Sequence, residues 1–281
     1  MKNQRPSADQ AWEYLKTAPD EEIPLIWGAL VIARDEYPDL DIESYELRMA
    51  DFGERVRQKV DADPMSRVRA VNTVLFEELG FSGNQKDYYD PKNSYLNDVI
   101  DRKLGIPISL ALLQIDVAHR VGLPLQGISF PGHFLVSLPV EDGVLVLDPY
   151  HKGTSVDVDE LKSRAKSQMD DVDVQDDQVL AMLVPATHRA ILTRMLRNLK
   201  ALYAEREDWT RALRCTDRIL ILDPRQPSEL RDRGLLYLKV GYAKGAAEDL
   251  TRYIAENPQL PDSDEIRELL VQIPRSGGRV N

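Results

Sequence analysis

Three side chains in this sequence have the types and settings that acyl-transfer chemistry needs: Ser109, His133 and Asp148. Ser109 falls in the first turn of a helix predicted to begin near Pro107, where unpaired backbone N–H groups and the positive end of the helix dipole gather. His133 opens a predicted strand, HFLVSL, and Asp148 closes the next, GVLVLD. In such a constellation the imidazole takes a proton from the nucleophile, the carboxylate fixes its tautomer, and the helix end helps to hold an oxyanion. Each residue also has a plainly structural reading: a first-turn serine caps a helix, a histidine after Pro-Gly belongs to a turn, and Asp-Pro ends a strand. Sequence order alone does not bring the three together.

Whether they meet depends on the elements that carry them. Strand signals run over 125–130, 133–138 and 143–148, the last pair joined by Pro139, Val140, Glu141 and Asp142. With those four residues as the loop, Leu138 pairs with Gly143 and His133 lies directly opposite Asp148. A two- or four-residue loop leaves both side chains on one face, and a three-residue loop separates them, because strand side chains alternate with period two. The helix carrying Ser109 is expected to run to about Val121 and is apolar on almost every side, the pattern of a helix buried in mid-domain. Before it, Phe81 to Asn93 reads as a surface loop, and Ser94 as the cap of a short helix ending at Leu104. Tyr88 and Tyr89 in that loop, with Tyr150, are candidates to line a cleft; pinning the loop to the core is the structural alternative.

Residues 7–80 read as a run of helices. Ser7 and Gln10 have capping-box spacing. Asp63-Pro64 starts a helix whose stripe of Val68, Val71, Leu75 and Leu79 ends at Gly80. Beyond the hairpin a helix is expected over 157–166, followed by the acidic stretch SQMDDVDVQDDQ, which reads as a solvated linker. The last third holds an internal repeat: Tyr203, Ala212 and Pro224 return 34 residues later as Tyr237, Ala246 and Pro258. That period and those residue types match the tetratricopeptide repeat, in two copies at about 193–226 and 227–260; Lys200 stands where the second copy has Gly234. Two copies need further helices to cover their ends. The expected division is therefore a first domain over 1–168, a linker over 169–180, helical repeats over 181–273 and a tail over 274–281.

Composition narrows the function classes. With 36 Lys and Arg against 47 Asp and Glu, the net charge is -11, which disfavours nucleic acid as a partner. The most apolar run, 104–118, contains Gln114 and Asp116 and is too short to span a bilayer, so no membrane segment is expected. The amino terminus lacks a secretory pattern, and a cytoplasmic location is expected. Cys215 is the single cysteine and reads as a buried small side chain. The four histidines show no metal-ligand spacing; neither metal nor other cofactor is expected.

The order of a helix-start residue, a histidine and an aspartate on adjacent strands resembles the transglutaminase-like fold. More closely, NSYLNDVIDRKLGIPISL, GLPLQGISFPGHFLV and LDPY, followed by the repeats, resemble the bacterial SirB family, whose domain type also occurs in some eukaryotic F-box proteins. The resemblance implies an α+β fold: a helix-rich transglutaminase-like (papain-like) domain with a small antiparallel sheet, then an all-α tetratricopeptide-like region. It matches His133 and Asp148 to the family's histidine and aspartate and puts Ser109 where active transglutaminase-like enzymes carry the nucleophilic cysteine. A serine hydroxyl is far less acidic than a thiol and needs a well-aligned base. The expectation is thus a non-catalytic interaction or regulatory protein, a pseudoenzyme binding a protein or peptide through its repeats. A Ser-dependent hydrolase or acyltransferase using Ser109, His133 and Asp148 is the alternative, and a ligand held in the cleft of Tyr88, Tyr89 and His133 a third reading.

Overall fold

The computed structural model describes residues 7–61, 63–141, 143–169 and 173–273. The tail expected over 274–281 lies outside them. The chain forms two compact units, one of residues 1–11 and 18–195, the other of residues 12–17 and 196–281.

Helix α1 (Ala8–Thr17) is divided between the units after Ala11, and the first unit resumes at Ala18 with α2 (Leu25–Arg34), α3 (Ile42–Arg57) and α4 (Pro64–Asn72). Ser7 and Gln10 cap α1 reciprocally, and the Asp63 carboxylate accepts from the Met65 and Ser66 N–H groups at the start of α4, with Pro64 at a position that needs no donor. The predicted stripe to Leu79 does not continue as regular α-helix: α4 passes at Thr73 into a π-helical segment, Thr73–Glu78, that keeps Val74, Leu75 and Phe76 buried. Then come a two-residue strand β1 (Ser82–Gly83), a short helix α5 (Leu96–Arg102) and β2 (Leu104–Gly105), parallel to β1. Tyr95, not Ser94, is the N-cap of α5.

Helix α6 (Pro107–Arg120) is the centre of this unit. It touches α2, α3, α4 and α5, and Ile108, Leu110, Leu112, Leu113, Ile115 and Val117 are all buried. Each such side chain is worth roughly 1.5–3 kcal/mol of transfer free energy, so the all-round apolar pattern fixes the helix in the core and its first turn with it. A meander of β3 (Gln126–Ile128), β4 (Leu135–Val140), β5 (Gly143–Asp148) and β6 (Thr154–Ser155) lies in the order β3-β4-β5-β6, every pair antiparallel. The hairpin is tighter than the four-residue loop expected. Val140 pairs with Gly143, where the pattern paired Leu138 with it, and His133 precedes the strand instead of opening it. The residue Pro139 takes a place in β4, and Val140 extends the ladder that the sequence pattern ended at Leu138.

The acidic stretch expected as a linker is in part structure. After α7 (Val158–Gln168), α8 (Asp176–Met182) buries Val179, and Val174 and Val179 join Ile128, Phe130, Leu135, Val146, Leu161 and Ala165 in one apolar cluster. Val174 and Val179, set among acidic and amide residues, carry the burial, too few for a periodicity argument to detect.

Helix α9 (His188–Glu205) is capped from a distance, the Asp20 carboxylate accepting from the His188 and Arg189 N–H groups. The second unit takes the part of α9 from Leu196, then α10 (Trp209–Leu222), α11 (Pro227–Lys239), α12 (Ala243–Glu256) and α13 (Ser263–Gln272). Small residues stand where helices approach: a Cβ on Gly234 would come within 2.6 Å of Leu250 Cγ, and Ala246 is fully buried. Lys200, the departure from the repeat pattern, is accommodated by charge, its Nζ 2.6 Å from Glu229 and 2.8 Å from Asp232. Helix α13 packs on α12 and buries Ile266 in the cluster of Leu230, Leu250 and Tyr253. On the other side, Trp12–Thr17 groups with the repeats, and the Arg218 guanidinium lies 4.6 Å from the Trp12 ring centroid. Cys215 is buried.

Candidate functional site

Ser109 occupies the third position of α6 and is fully buried. Its Oγ accepts from the Ile106 N–H at 3.0 Å and lies 2.7 Å from the Asn93 carbonyl, to which it donates. The hydroxyl thus closes the first turn of α6 and ties it to the loop before α5. That loop is itself held from below. The Asn93 amide donates to the Asp87 and Tyr88 carbonyls, and Asn84 donates to Asn93 Oδ1 at 3.0 Å. Buried asparagines thereby satisfy the backbone of an irregular segment, and the loop presents Tyr88 and Tyr89, 40% and 63% exposed, to solvent.

Asp148 ends β5 and is 1% exposed. Continuing the β4–β5 register past Val136–Leu147 brings it level with Leu135, two residues and one face-repeat from His133. Its carboxylate is committed elsewhere. One oxygen caps a 3₁₀ turn, Pro149–His151, by accepting from the Tyr150 and His151 N–H groups; the other is 2.8 Å from His151 Nδ1 and 2.6 Å from Arg164 Nη1. Burial works against ionisation of Asp148, but the hydrogen bonds from His151 and Arg164 outweigh it and hold its pKa below the usual carboxylate value. The structure therefore pairs Asp148 with His151, and the sequence reading had not singled out either His151 or Arg164. The spacing of His151 three residues after an Asp-Pro cap is the one sequence signal for that pairing.

His133 stands just before β4, its N–H donating to the Phe130 carbonyl and its imidazole making no side-chain hydrogen bond among the described residues. Burial pushes the His133 pKa down, helped by the charge of Arg164 and opposed by Asp148. A neutral imidazole is the result at neutral pH. Beside it Arg194 clamps the turn, donating to Ser129 Oγ at 2.6 Å and to the His133 carbonyl at 3.0 Å. The aromatic rings complete the cluster: Tyr88 meets Tyr89 and Tyr150 edge to face at 5.3 and 6.0 Å, and Tyr150 meets His151 at 5.5 Å. A methyl group at Gly83 would run into the Tyr150 ring, so the bare backbone of β1 is the surface on which that ring rests. The structure thus gathers His133, Asp148, Tyr88 and Tyr150 about one edge of the sheet, while the Ser109 hydroxyl is spent inside the loop–helix junction.

Among the described residues no group of three or more His, Cys, Asp or Glu side chains is arranged to hold a metal ion, and no helix is long and apolar enough to cross a membrane.

Comparison with known sequences agrees with this architecture. Residues 43–197 match the transglutaminase-like superfamily, and residues 199–271 match the tetratricopeptide repeat. A protein of Xylella fastidiosa (strain 9a5c) named UPF0162 is 51% identical over 93% of this chain and 94% of its own length, and a Vibrio cholerae UPF0162 protein is 30% identical over 88% and 91%. F-box only protein 21 of Mus musculus shares 38% identity over 102 residues, 33% of this chain and 16% of that protein. No solved structure matches. The chain belongs to the UPF0162 family, and in it a transglutaminase-like segment is followed by tetratricopeptide repeats.

Proposed function

We propose that this chain is a non-catalytic, cytoplasmic interaction or regulatory protein of the type its SirB-like sequence suggests, a pseudoenzyme that binds a protein or peptide partner through its repeats. The observation that carries the reading is the state of the Ser109 hydroxyl, fully buried and engaged with the Asn93 carbonyl and the Ile106 N–H. A serine nucleophile needs its proton within reach of a base. Here the histidine matched by family position has no side-chain partner, and the aspartate that would orient it is hydrogen-bonded to His151 and Arg164. The tetratricopeptide match supports a partner-binding role for the second unit.

The test is capture of partners from a cell extract by the full chain and by a chain ending at residue 195, with circular dichroism to establish that the shorter chain is folded. Partners retained by the full chain and lost by the folded shorter chain are the expected result. Identical partner sets from both would count against the repeats as the binding surface.

A further inference from the structure

Arg194 is a half-buried cation without a counter-ion. Its N–H groups donate to Ser129 Oγ and to the Phe130 and His133 carbonyls, all of them uncharged acceptors, its guanidinium carbon lies 5.9 Å from the Phe134 ring centroid, and among the described residues its Nε–H has no acceptor. Among the described residues no carboxylate stands within ion-pair distance of it, whereas the neighbouring Arg164 is shared between Asp148 and Glu160. Burial lowers the Arg194 pKa, and the Tyr88 phenol is the single group that acts to raise it. A guanidinium taken out of water in this way is costly unless an anion arrives. Three further polar groups at the same place have no protein partner: the His133 imidazole, the Tyr88 hydroxyl and the Tyr150 hydroxyl. A neutral imidazole supplies one N–H donor, and each phenol can donate one more. Asp148, the one buried carboxylate here, accepts from four donors and has no capacity left to attract a cation.

We propose that Arg194, His133 and Tyr88 form a binding site for the carboxylate of a ligand whose apolar part lies against the Tyr88 and Tyr150 rings. A planar carboxylate matches the fork of a guanidinium, and partly exposed aromatic rings match an apolar body. The site requires binding without turnover and so rests on the non-catalytic reading above. The two fail separately, because labelling of Ser109 by an electrophile would remove that reading without bearing on carboxylate affinity.

The probe is N-acetylphenylalanine, compared with its uncharged amide and with inorganic phosphate. Binding to the full chain is followed through the histidine and tyrosine ring resonances by NMR. Saturable shifts at Tyr88 and His133 with the carboxylate, and none with the amide, are expected. Arg194→Gln keeps donors for the turn carbonyls while removing the charge, and should weaken binding at least tenfold, as expected for a charge-assisted hydrogen bond. Tyr88→Phe lies on an exposed loop and should weaken it severalfold even if the Arg194 variant does not fold. Equal binding of the amide, tighter binding of phosphate, unchanged affinity in Tyr88→Phe, or no saturable binding at all would overturn the proposal.

Discussion

Replacing Ser109 by alanine separates a structural hydroxyl from a catalytic one. In a fully buried setting the side chain accepts from Ile106 N–H at 3.0 Å and donates to the Asn93 carbonyl at 2.7 Å, with the Ile106 carbonyl a second, longer acceptor at 3.1 Å. A first-turn cap of this kind is worth about 1 kcal/mol, and the second bond about as much again. Ile106 N–H also lies 3.4 Å from the Asn93 carbonyl, so the two orphaned groups can close on each other and limit the loss. The sum is about 2 kcal/mol, or a lowering of the melting temperature by about 4–8 °C for a unit of this size. Differential scanning calorimetry of the full chain reads this directly. A Ser109→Ala protein that melts with the wild type, or above it, would refute the argument that the hydroxyl joins the loop to α6. Such a result would also free Ser109 for another role.

Four further outcomes are expected. Ser109→Cys, which puts a thiol in place of the hydroxyl, should give a buried side chain that iodoacetamide does not alkylate in the folded protein, measured by intact mass. Asp148→Asn should cost about 3 kcal/mol by denaturant titration, because Arg164 loses its buried anion; a change below ~1 kcal/mol would contradict the account of that carboxylate. Gly234→Ala should destabilise the repeats by about 1–3 kcal/mol through contact with Leu250, seen as an earlier loss of helical signal. Acid should destabilise the first unit in two steps. The folded-state pKa of His133 is depressed, so the unfolded chain binds the proton more readily and stability falls as pH drops below 6.5. The Asp148 pKa is also depressed, so its contribution is present above 3.8 and lost as pH falls through the lower folded-state value. His133→Gln should abolish the first step alone.

Much of the framework was legible because local chemistry and burial agree. Asp63-Pro64, the apolar circumference of α6 and the 34-residue repeat each have one physical cause, and each appears where the pattern placed it. The hairpin shows the limit. The pattern paired Leu138 with Gly143, whereas Val140 takes that place and β4 begins only at Leu135, so His133 is not set opposite Asp148 in the ladder. What the sequence could not display was which partner each polar group would choose. Asp148 had candidates in His133 and His151, and the 3₁₀ turn brings the nearer one to its oxygen. Arg164 and Arg194 arrive from helices 16 and 46 residues further along the chain, with no local motif to announce them. The tie between Ser109 and Asn93 joins positions 16 apart across two elements and is likewise a product of packing.

The most direct test of the central claim is intact-mass detection of a fluorophosphonate adduct on the purified full chain, with Ser109→Ala and His133→Ala alongside. Such reagents require an activated serine. A hydroxyl committed to the Asn93 carbonyl, with no hydrogen bond to a histidine among the described residues, predicts no adduct on the wild type. A stoichiometric adduct that disappears in both variants would contradict the account and establish an assembled nucleophile and base.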